Sequence, residues 1–431
     1  MNKEVIKEIV VENESFITKQ IEQISDRECI SLPSFNINKV VLFYGVRRSG
    51  KSFLLFNIFK QHPDISMYID FEDERFQGVN VSDLDKIKEA FFELKPKLIN
   101  QKEIFFLFDE VQNVNGWERF ARRLVEKERI HFFCAGSSSK ITPNSIHTAL
   151  RGRVWSIEVF PFSFREFLIS RGFDLTNKKL FYSENKILIK NNFDEYLKFG
   201  GFPEVIFSKS EFDKKKILKE YLNAMYFRDL VGRYEVKNIT LLETLWDKLF
   251  SLFSTKFSLS SFYTQYKDKI PLSKDSLFQY YKYFIEGMLI YEVKKFSESS
   301  YKRMRNPAKI YLIDTGLAKK TTSLDLGRTL ENIVFINLKR KGYDVFYFNE
   351  KGECDFVAKK EDKFKIYQVT WDLNDENRER EILGLVQAAK YLNINEGTII
   401  TYDSEEVIKV ESITINIIPA WKWLVMTKQD G

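Results

Sequence analysis

Lys51 and Ser52 close the run Gly45-Val46-Arg47-Arg48-Ser49-Gly50-Lys51-Ser52. The run matches the spacing G-x-x-x-x-G-K-[S/T], and each fixed position has a chemical reason. Glycines let successive backbone N–H groups turn inward around a phosphate without a Cβ in the way. Lys51 reaches the β- and γ-phosphates, and the Ser52 hydroxyl suits Mg²⁺. A helix starting here adds the positive end of its dipole beneath the anion. The nucleotide-binding set is therefore Gly45, Arg48, Ser49, Gly50, Lys51, Ser52 and Phe53. Arg47 and Arg48 face solvent, a nucleotide base or a partner.

A second pair of residues completes that chemistry. Asp109 and Glu110 end the apolar run "EIFFLFDE". Asp109 is placed to hold Mg²⁺ through its water shell, together with Ser52. Glu110 is placed to orient and deprotonate an attacking water. A third polar tip follows in "IHFFCAGSSSKI", which ends on Ser137, with Ser138 as a close alternative.

The elements that must position these groups are legible around them. "KVVLFYG" reads as a buried strand and "SFLLFNIFK" as a helix with apolar spacing. Continuous apolar runs such as "EIFFLF" are typical of parallel strands covered on both faces. From Val40 to Val159 strand and helix alternate, which implies a parallel sheet with right-handed crossovers. In such sheets ligands sit at the carboxyl ends of the strands, where the loop and both acidic residues fall. "GWERFARRLVEK" predicts a helix burying Trp117, Phe120 and Leu124, and Pro161 in "FPFSFREFL" predicts a first-turn proline.

These three pieces, with "LRGRVWSIEVFPFSFREF" after them, resemble the prokaryotic AAA+-type P-loop ATPases. More closely they resemble the group whose ATPase is followed by a C-terminal domain of unknown function. The resemblance implies ATP and Mg²⁺ as cofactors and Ser137 as the sensor contacting the γ-phosphate or the lytic water. It implies Arg151 and Arg153 as arginine fingers or sensors, acting in cis or on a neighbouring subunit. Salt bridging at a domain edge is the alternative for both. Asp70, Glu72 and Asp73 in "SMYIDFEDERF" also match; they polarise the site or line a solvated loop. The glycine-glycine-phenylalanine-proline stretch Gly200–Pro203 matches the start of the family's helical lid. "KIYLIDTGLA" matches as well, so the resemblance runs through nearly the whole chain. Arg228 and Arg233 in the following helix are candidates for nucleotide or subunit contact.

Beyond the lid the chain follows a winged-helix grammar. A helix and a short helix precede the turn "PLSKD"; Ser273 then caps "DSLFQYYKYFIEGMLI", which ends near Gly287. The strand "LIYEVKKF" and the basic wing "YKRMRNPAKIYLID" complete the pattern. Such modules lay the second helix of the pair in the major groove. Lys274, Gln279, Tyr280 and Lys282, with Lys302, Arg303 and Arg305 of the wing, are the candidate DNA contacts. Residues 208–309 hold 20 Lys+Arg against 12 Asp+Glu, so a chain of net charge +6 concentrates its positive charge there. A solvated lysine-rich surface is the alternative.

The last third shares the layout of the PD-(D/E)xK nuclease-like fold. A helix carries Glu331, and strands follow at "DVFYF", "CDFVAKK" and "FKIYQVTW". Asp355 takes the position of the metal-binding Asp. Gln368 stands where that fold has its Glu, and Thr370 where it has its Lys. Gln brings no negative charge, and Thr cannot assist water as a lysine does. Asp372 and Asp375 do not restore the geometry, so no metal-dependent cleavage is expected.

The fold class expected is α/β: an AAA+-like parallel sheet, a helical lid, a winged-helix module and a nuclease-like α/β domain. The expected boundaries are 1–32 for an N-terminal helical arm, 33–165 for the ATPase core and 166–237 for the lid. Residues 238–316 form the winged helix and 317–431 the nuclease-like domain. With 431 residues, 44% hydrophobic and 30% charged, several domains with real cores are expected and disorder is excluded. Cys29, Cys134 and Cys354 show neither metal-ligand spacing nor a disulfide framework. No apolar run approaches the ~20 residues of a membrane span and the amino terminus has no signal-peptide core, so a cytoplasmic protein is expected. The leading function is Mg²⁺-dependent ATP hydrolysis coupled to the winged-helix and nuclease-like modules, acting on or near DNA. The alternative is an ATP-binding, nucleic-acid-associated regulatory or defence switch with little turnover. Expected partners are nucleotide, DNA at the basic region, and a protein partner or a second copy of the chain, with no membrane. ATP rather than GTP follows from the resemblance and from the lack of an Asn/Lys-x-x-Asp guanine reader.

Overall fold

A computed structural model describes residues 1–20, 27, 32–33, 37–101, 103–137, 143–177, 179–297, 299, 306–319 and 325–426. The chain forms two compact units, Met1–Phe160 and Pro161–Asp430, each treated by itself below.

The first unit is built on a five-stranded sheet in the order β2-β3-β4-β1-β5. Its strands are β1 (Val40–Gly45), β2 (Ser66–Asp70), β3 (Phe105–Asp109), β4 (His131–Ser137) and β5 (Val154–Glu158), and every neighbouring pair is parallel. Alternate side chains along each strand point to opposite faces, so a fully apolar strand feeds two cores. Leu42, Phe106, Phe108 and Phe132 enter one core, with helices α1 (Lys3–Gln20), α3 (Val81–Leu94) and α4 (Trp117–Arg123). Val41, Phe43, Phe105, Leu107 and Phe133 enter the other, with α2 (Lys51–Gln61). Trp117, Phe120 and Leu124 are buried as the sequence pattern predicts. Helix α1 is not a free arm: Ile6, Ile9, Val10 and Ile17 are all fully buried in these cores.

The order places β4 between β1 and β3, so the tip of β4 separates the glycine loop from the acidic pair. The register sets Gly45 opposite Ser137 and Asp70 opposite Asp109, all at one edge of the sheet. The short helix α5 (Pro143–Ala149) precedes β5 and is joined to it by the Arg151–Arg153 turn.

The second unit opens with α6 (Phe164–Ser170), α7 (Ser183–Phe199), α8 (Pro203–Phe207) and α9 (Glu211–Ala224). Ser163 and Glu166 form a reciprocal cap at α6, so the helix starts after Pro161 rather than around it. Then come α10 (Ile239–Ser251), β6 (Thr255–Phe257), α11 (Leu259–Tyr266), α12 (Lys274–Glu286), β7 (Ile290–Lys295) and β8 (Ala308–Leu312). Ser273 caps α12, its Oγ accepting from the Ser276 N–H at 3.1 Å. The remaining elements are α13 (Asp325–Arg340), β9 (Asp344–Asn349), β10 (Glu353–Lys360), β11 (Lys363–Val369) and α14 (Arg378–Leu392). The unit ends with β12 (Glu396–Thr401), β13 (Glu406–Val410), β14 (Ile413–Pro419) and α15 (Ala420–Met426).

Its strands join in one nine-stranded sheet, β13-β14-β12-β11-β10-β9-β7-β8-β6. The junction is the parallel pairing of β7 with β9, Lys294 opposite Phe346 and Lys295 opposite Tyr347. Residues 238–316 and 317–431, expected as separate domains, therefore share a hydrogen-bonded sheet.

The two stretches matched outside the first unit meet in the second. Gly201 N–H donates to Asp314 Oδ2 at 2.7 Å, and Gly316 N–H donates to Asp314 Oδ1 at 2.7 Å. Gly200 has φ 75°, and a Cβ there would lie 1.7 Å from Asp314 Oδ1. Gly200 is thus required by a buried carboxylate clamp rather than by a loose turn, and Gly201 by the Phe162 carbonyl oxygen, 2.2 Å from where its Cβ would lie.

Candidate functional site

The glycine loop leaves β1 at Gly45 and enters α2 at Lys51. A Cβ on Gly45 would fall 2.3 Å from the Val159 carbonyl oxygen, so the loop's first position admits glycine alone. Arg48 takes φ 64° and Gly50 φ 94°, which folds the backbone back on itself ahead of the helix. Gly50 makes no side-chain cap, so the first-turn amides of α2 are not taken up by one. Lys51 is buried, its ammonium donating to the carbonyls of Gly45 at 3.2 Å and Val46 at 2.9 Å. Ser49 is fully buried and its Oγ has no hydrogen-bond partner. A buried hydroxyl without a partner is an unmet demand for a polar ligand. Phe53 lies one turn up, exposed, tilted against Phe56 at 5.3 Å.

The acidic pair stands two strands away. Asp109 is 3% exposed, and burial pushes its pKa up to about 6, helped by the charge of Glu110 and opposed by the Ser52 hydrogen bond and by Lys51. That Ser52–Asp109 contact puts the two groups expected to share a cation side by side. Asp109 Oδ2 accepts from the Tyr68 hydroxyl at 3.1 Å, and Oδ1 accepts from the Glu110 N–H at 3.0 Å. Glu110 sits at φ 47°, a left-handed turn that re-aims its carboxylate after the strand ends. Its Oε2 accepts from the Gln112 side-chain amide. Asp70, half-buried, is pushed up by burial as well. Asp73 instead pairs with Arg75 at 2.7 Å, and Arg75 with Glu12 at 2.8 Å, so that part of the acidic loop is neutralised locally.

The ammonium, the Ser52 hydroxyl, the buried carboxylate and the unpartnered Ser49 hydroxyl fit a triphosphate and its divalent cation. Glu110 adds a carboxylate that a water can use as base. Ser137 ends β4 between these two groups; its side chain and Ser138 lie outside the described residues.

Arg151 and Arg153 are not brought to this edge. Val40 N–H donates to the Arg153 carbonyl at 2.9 Å, and Val40 pairs with Val154, at the opposite end of β1 from Gly45. Arg153 pairs with Glu126 at 2.9 Å, and both arginines are exposed. A parallel strand of this length separates them from the glycine loop, which rules out contact within the same unit.

Sequence reasoning passed over three further contributors. Tyr68 fixes Asp109, and Gln112 holds Glu110. The Arg27 guanidinium donates to the carbonyls of Ser49 at 3.0 Å and Phe160 at 2.8 Å, tying the loop to the end of the unit. Tyr68 and Gln112 carried a signal: one lies in the strand that leads into the acidic loop, the other follows Glu110 by two positions.

In the second unit Glu331 on α13, Asp355 on β10 and Gln368 on β11 come together, as expected. Asp355 N–H donates to Gln368 Oε1 at 3.0 Å, and Val369 N–H donates to Asp355 Oδ2 at 2.9 Å. The residue between the acids is Lys309 of β8, read from sequence only as part of a basic wing. Its ammonium lies 2.7 Å from Asp355 and 3.1 Å from Glu331. Burial alone would lower the Lys309 pKa, but Asp355 and Glu331 outweigh it and hold the group above its usual value. Thr370 caps toward the Asp372 carbonyl at 2.9 Å and takes no part in the cluster.

On α12, Lys274, Phe278, Gln279 and Lys282 are exposed, whereas Tyr280 is buried and its hydroxyl accepts from the Asn238 N–H at 3.0 Å. Tyr280 is a core residue and is withdrawn as a nucleic-acid contact. Lys302, Arg303 and Arg305 lie outside the described residues. Arg228 is exposed and Arg233 stacks over Tyr234 at 4.5 Å, both within the second unit. No described helix is long and apolar enough to cross a membrane.

Comparison with known proteins agrees with the geometry of the first unit. A family model described as an AAA domain matches residues 37–168, and one described as a domain of unknown function (DUF8612) matches residues 190–327. The uncharacterized protein MJ1544 of Methanocaldococcus jannaschii is 35% identical over 98% of this chain and 96% of its own length. An uncharacterized protein of Haemophilus influenzae is 29% identical over 79% of this chain and 84% of its own. Among solved structures, the Walker-type ATPase PABY2304 of Pyrococcus abyssi aligns over 72% of this chain and 94% of its own, at 15% identity and a TM-score of 0.41.

Proposed function

We propose that the chain, which belongs to the family of Methanocaldococcus jannaschii MJ1544 and carries an AAA domain at residues 37–168, binds and hydrolyses ATP with Mg²⁺. The observation that carries this reading is one sheet edge where Lys51, Ser52, Asp109 and Glu110 converge beside an orphaned Ser49 hydroxyl. ATP supplies the transferable phosphoryl group, and Mg²⁺ the charge that neutralises its oxygens. The loop amides and Lys51 bind and orient the phosphates, exchanging the carbonyl contacts of the ammonium for stronger anionic ones. Ser52 and Asp109 hold the cation's shell. Glu110, kept in place by Gln112, takes the proton of the attacking water, and the Ser137 hydroxyl orients that water. Arg151 and Arg153, at the far end of β5, are fingers only toward the site of a second copy of the chain.

The second unit is the coupled module. The order helix, strand, helix, helix, strand, strand from α10 to β8, with β8 between β7 and β6, supports a winged helix. Exposed Lys274, Gln279 and Lys282 on α12 favour DNA as its partner. The sheet around Asp355 supports a nuclease-like domain that recognises without cleaving. Residues 166–237 serve as the lid region. ATP turnover by the purified protein beside Lys51→Ala tests the reading, and equal rates would remove it. Tight nucleotide binding with negligible turnover, together with salt-dependent DNA binding that changes with nucleotide, would establish the switch instead.

A further inference from the structure

The acidic cleft of the second unit is the strongest feature that ATP chemistry leaves unused. It encloses about 670 Å³ and is lined by Glu331, Glu353, Asp355, Gln368, Arg380 and Trp371, among others. Three of its lining carboxylates converge on the Lys309 nitrogen behind its wall: Asp355 at 2.7 Å, Glu331 at 3.1 Å and Glu353 at 3.6 Å. Carboxylates from a helix and a strand meeting in this way ordinarily hold a divalent cation. Here the centre is taken by a covalently attached ammonium, 5% exposed, reaching in from β8.

The oxygens around it are also committed. Glu331 Oε1 accepts from both Lys309 and the Tyr311 hydroxyl, the latter at 2.6 Å. The second oxygen of Asp355 accepts from the Val369 N–H, and the Gln368 carbonyl oxygen accepts from the Asp355 N–H. The Gln368 amide nitrogen donates to Glu381, which in turn pairs with Arg380. Among the described residues no group of three acidic, histidine or cysteine side chains is arranged to hold a metal. The residues present therefore do not fit the metal that a nuclease-like fold implies.

We propose that Lys309 is the resident cation of this cleft: its ammonium stands in for a divalent metal, and the wild-type site excludes one. A fixed single charge balances the carboxylates but offers no open coordination position and activates no water. The cleft is thereby kept free of metal by β8 as much as by Gln368 and Thr370.

The test is Mn²⁺ binding to the full-length, nucleotide-free protein, counted by electron paramagnetic resonance. Wild type and Asp355→Asn should bind the same number of ions. Lys309→Ala should bind one more, lost again in Lys309→Ala/Asp355→Asn. The melting temperature of Lys309→Ala should fall by about 10 °C, because the carboxylates lose their counter-charge, and rise again in millimolar Mn²⁺. If Lys309→Ala is insoluble, the neutral set Lys309→Met/Glu331→Gln/Asp355→Asn should fold, since it removes both signs of charge together. The proposal is overturned if wild type holds an ion that Asp355→Asn releases, or nicks plasmid in Mn²⁺ in an Asp355-dependent way. It is equally overturned if Lys309→Ala folds and gains no ion, or if the neutral set also fails to fold.

Discussion

Two sites in this chain pair a buried lysine with buried carboxylates, and they resolve the pairing in opposite ways. At the glycine loop Lys51 rests on two backbone carbonyls, Asp109 stands apart from it across a strand, and Ser49 keeps a hydroxyl unanswered. At the cleft Lys309 bonds directly to its acids, and both Asp355 oxygens, Glu331 Oε1 and Gln368 Oε1 each have a donor. The first arrangement is unfinished without a ligand, and the second is finished by the chain itself. A buried charge set that leaves polar groups unmet is disposed to bind, whereas one that satisfies them all is disposed to persist.

The comparison breaks most readily at Lys51. Replacing it with alanine removes the buried ammonium of the loop and should lower ATP turnover by at least about 100-fold, the scale for losing a principal charge stabiliser. The matching lesion at Lys309 should leave turnover per folded molecule unchanged. A steady-state phosphate-release assay on both variants decides it. If Lys309→Ala lost turnover as Lys51→Ala does, the two sites would not be independent in function.

Glu110→Gln should separate chemistry from binding. The amide keeps the shape and the Gln112 contact but cannot accept a proton, so turnover should fall by about 100-fold or more while nucleotide binding stays within a few-fold. Fluorescent-nucleotide titration beside the phosphate assay gives both numbers. A loss of affinity equal to the loss of rate would make Glu110 a binding group instead.

How far these sites were legible follows from how their residues are spread along the chain. The loop and the Asp109-Glu110 pair were readable because the chemistry demands contiguous residues at a strand end, and the apolar runs announce the strands. Lys309 was invisible in that sense. It precedes Glu331 and Asp355 by long stretches, and long-range events bring β8 to them: the β7–β9 pairing and the Asn332 side chain's bonds to the Leu312 backbone. Arg151 and Arg153 left action in cis or on a neighbour open for the same reason: nearness in sequence to the last strand says nothing about which end of the sheet they occupy. Tyr280 was recoverable. It lies on the stripe of Leu277, Tyr281 and Phe284, one helical face, and Lys274, Phe278 and Lys282 form the other.

The pH response of the first site sharpens the contrast further. Asp109 has a folded-state pKa of about 6 against an ordinary 3.8, so the folded protein binds this proton more tightly than the unfolded chain. The sign is that of a raised acid: the penalty for the charged form is present above pH 6 and is relieved as pH falls toward 3.8. Without nucleotide, this group should make the first unit more stable at pH 5 than at pH 7. Mg²⁺-nucleotide binding should do the reverse, weakening about tenfold for each pH unit below 6, because the cation requires the carboxylate. Calorimetric titrations at pH 5, 6 and 7 check this, and Asp109→Asn should flatten the profile. An unchanged slope in that variant would assign the proton to another group.

The smallest effect is expected at Tyr68, and it isolates a side-chain contact that touches Asp109 without touching ligand. Tyr68→Phe keeps the ring, its edge contact with Phe56 at 5.2 Å and its place in the core, and deletes only the hydroxyl. That hydroxyl donates to Oδ2 of a buried carboxylate, so its loss should cost about 1 kcal/mol of stability. It also removes a donor from the charged form of Asp109, so the pH midpoint for Mg²⁺-nucleotide binding should move upward while maximal affinity at pH 8 changes little. A purely packing role for Tyr68 would lower stability without moving that midpoint. The midpoint, rather than the melting temperature, is therefore the measurement that shows whether the site is tuned by its own sheet before any ligand arrives.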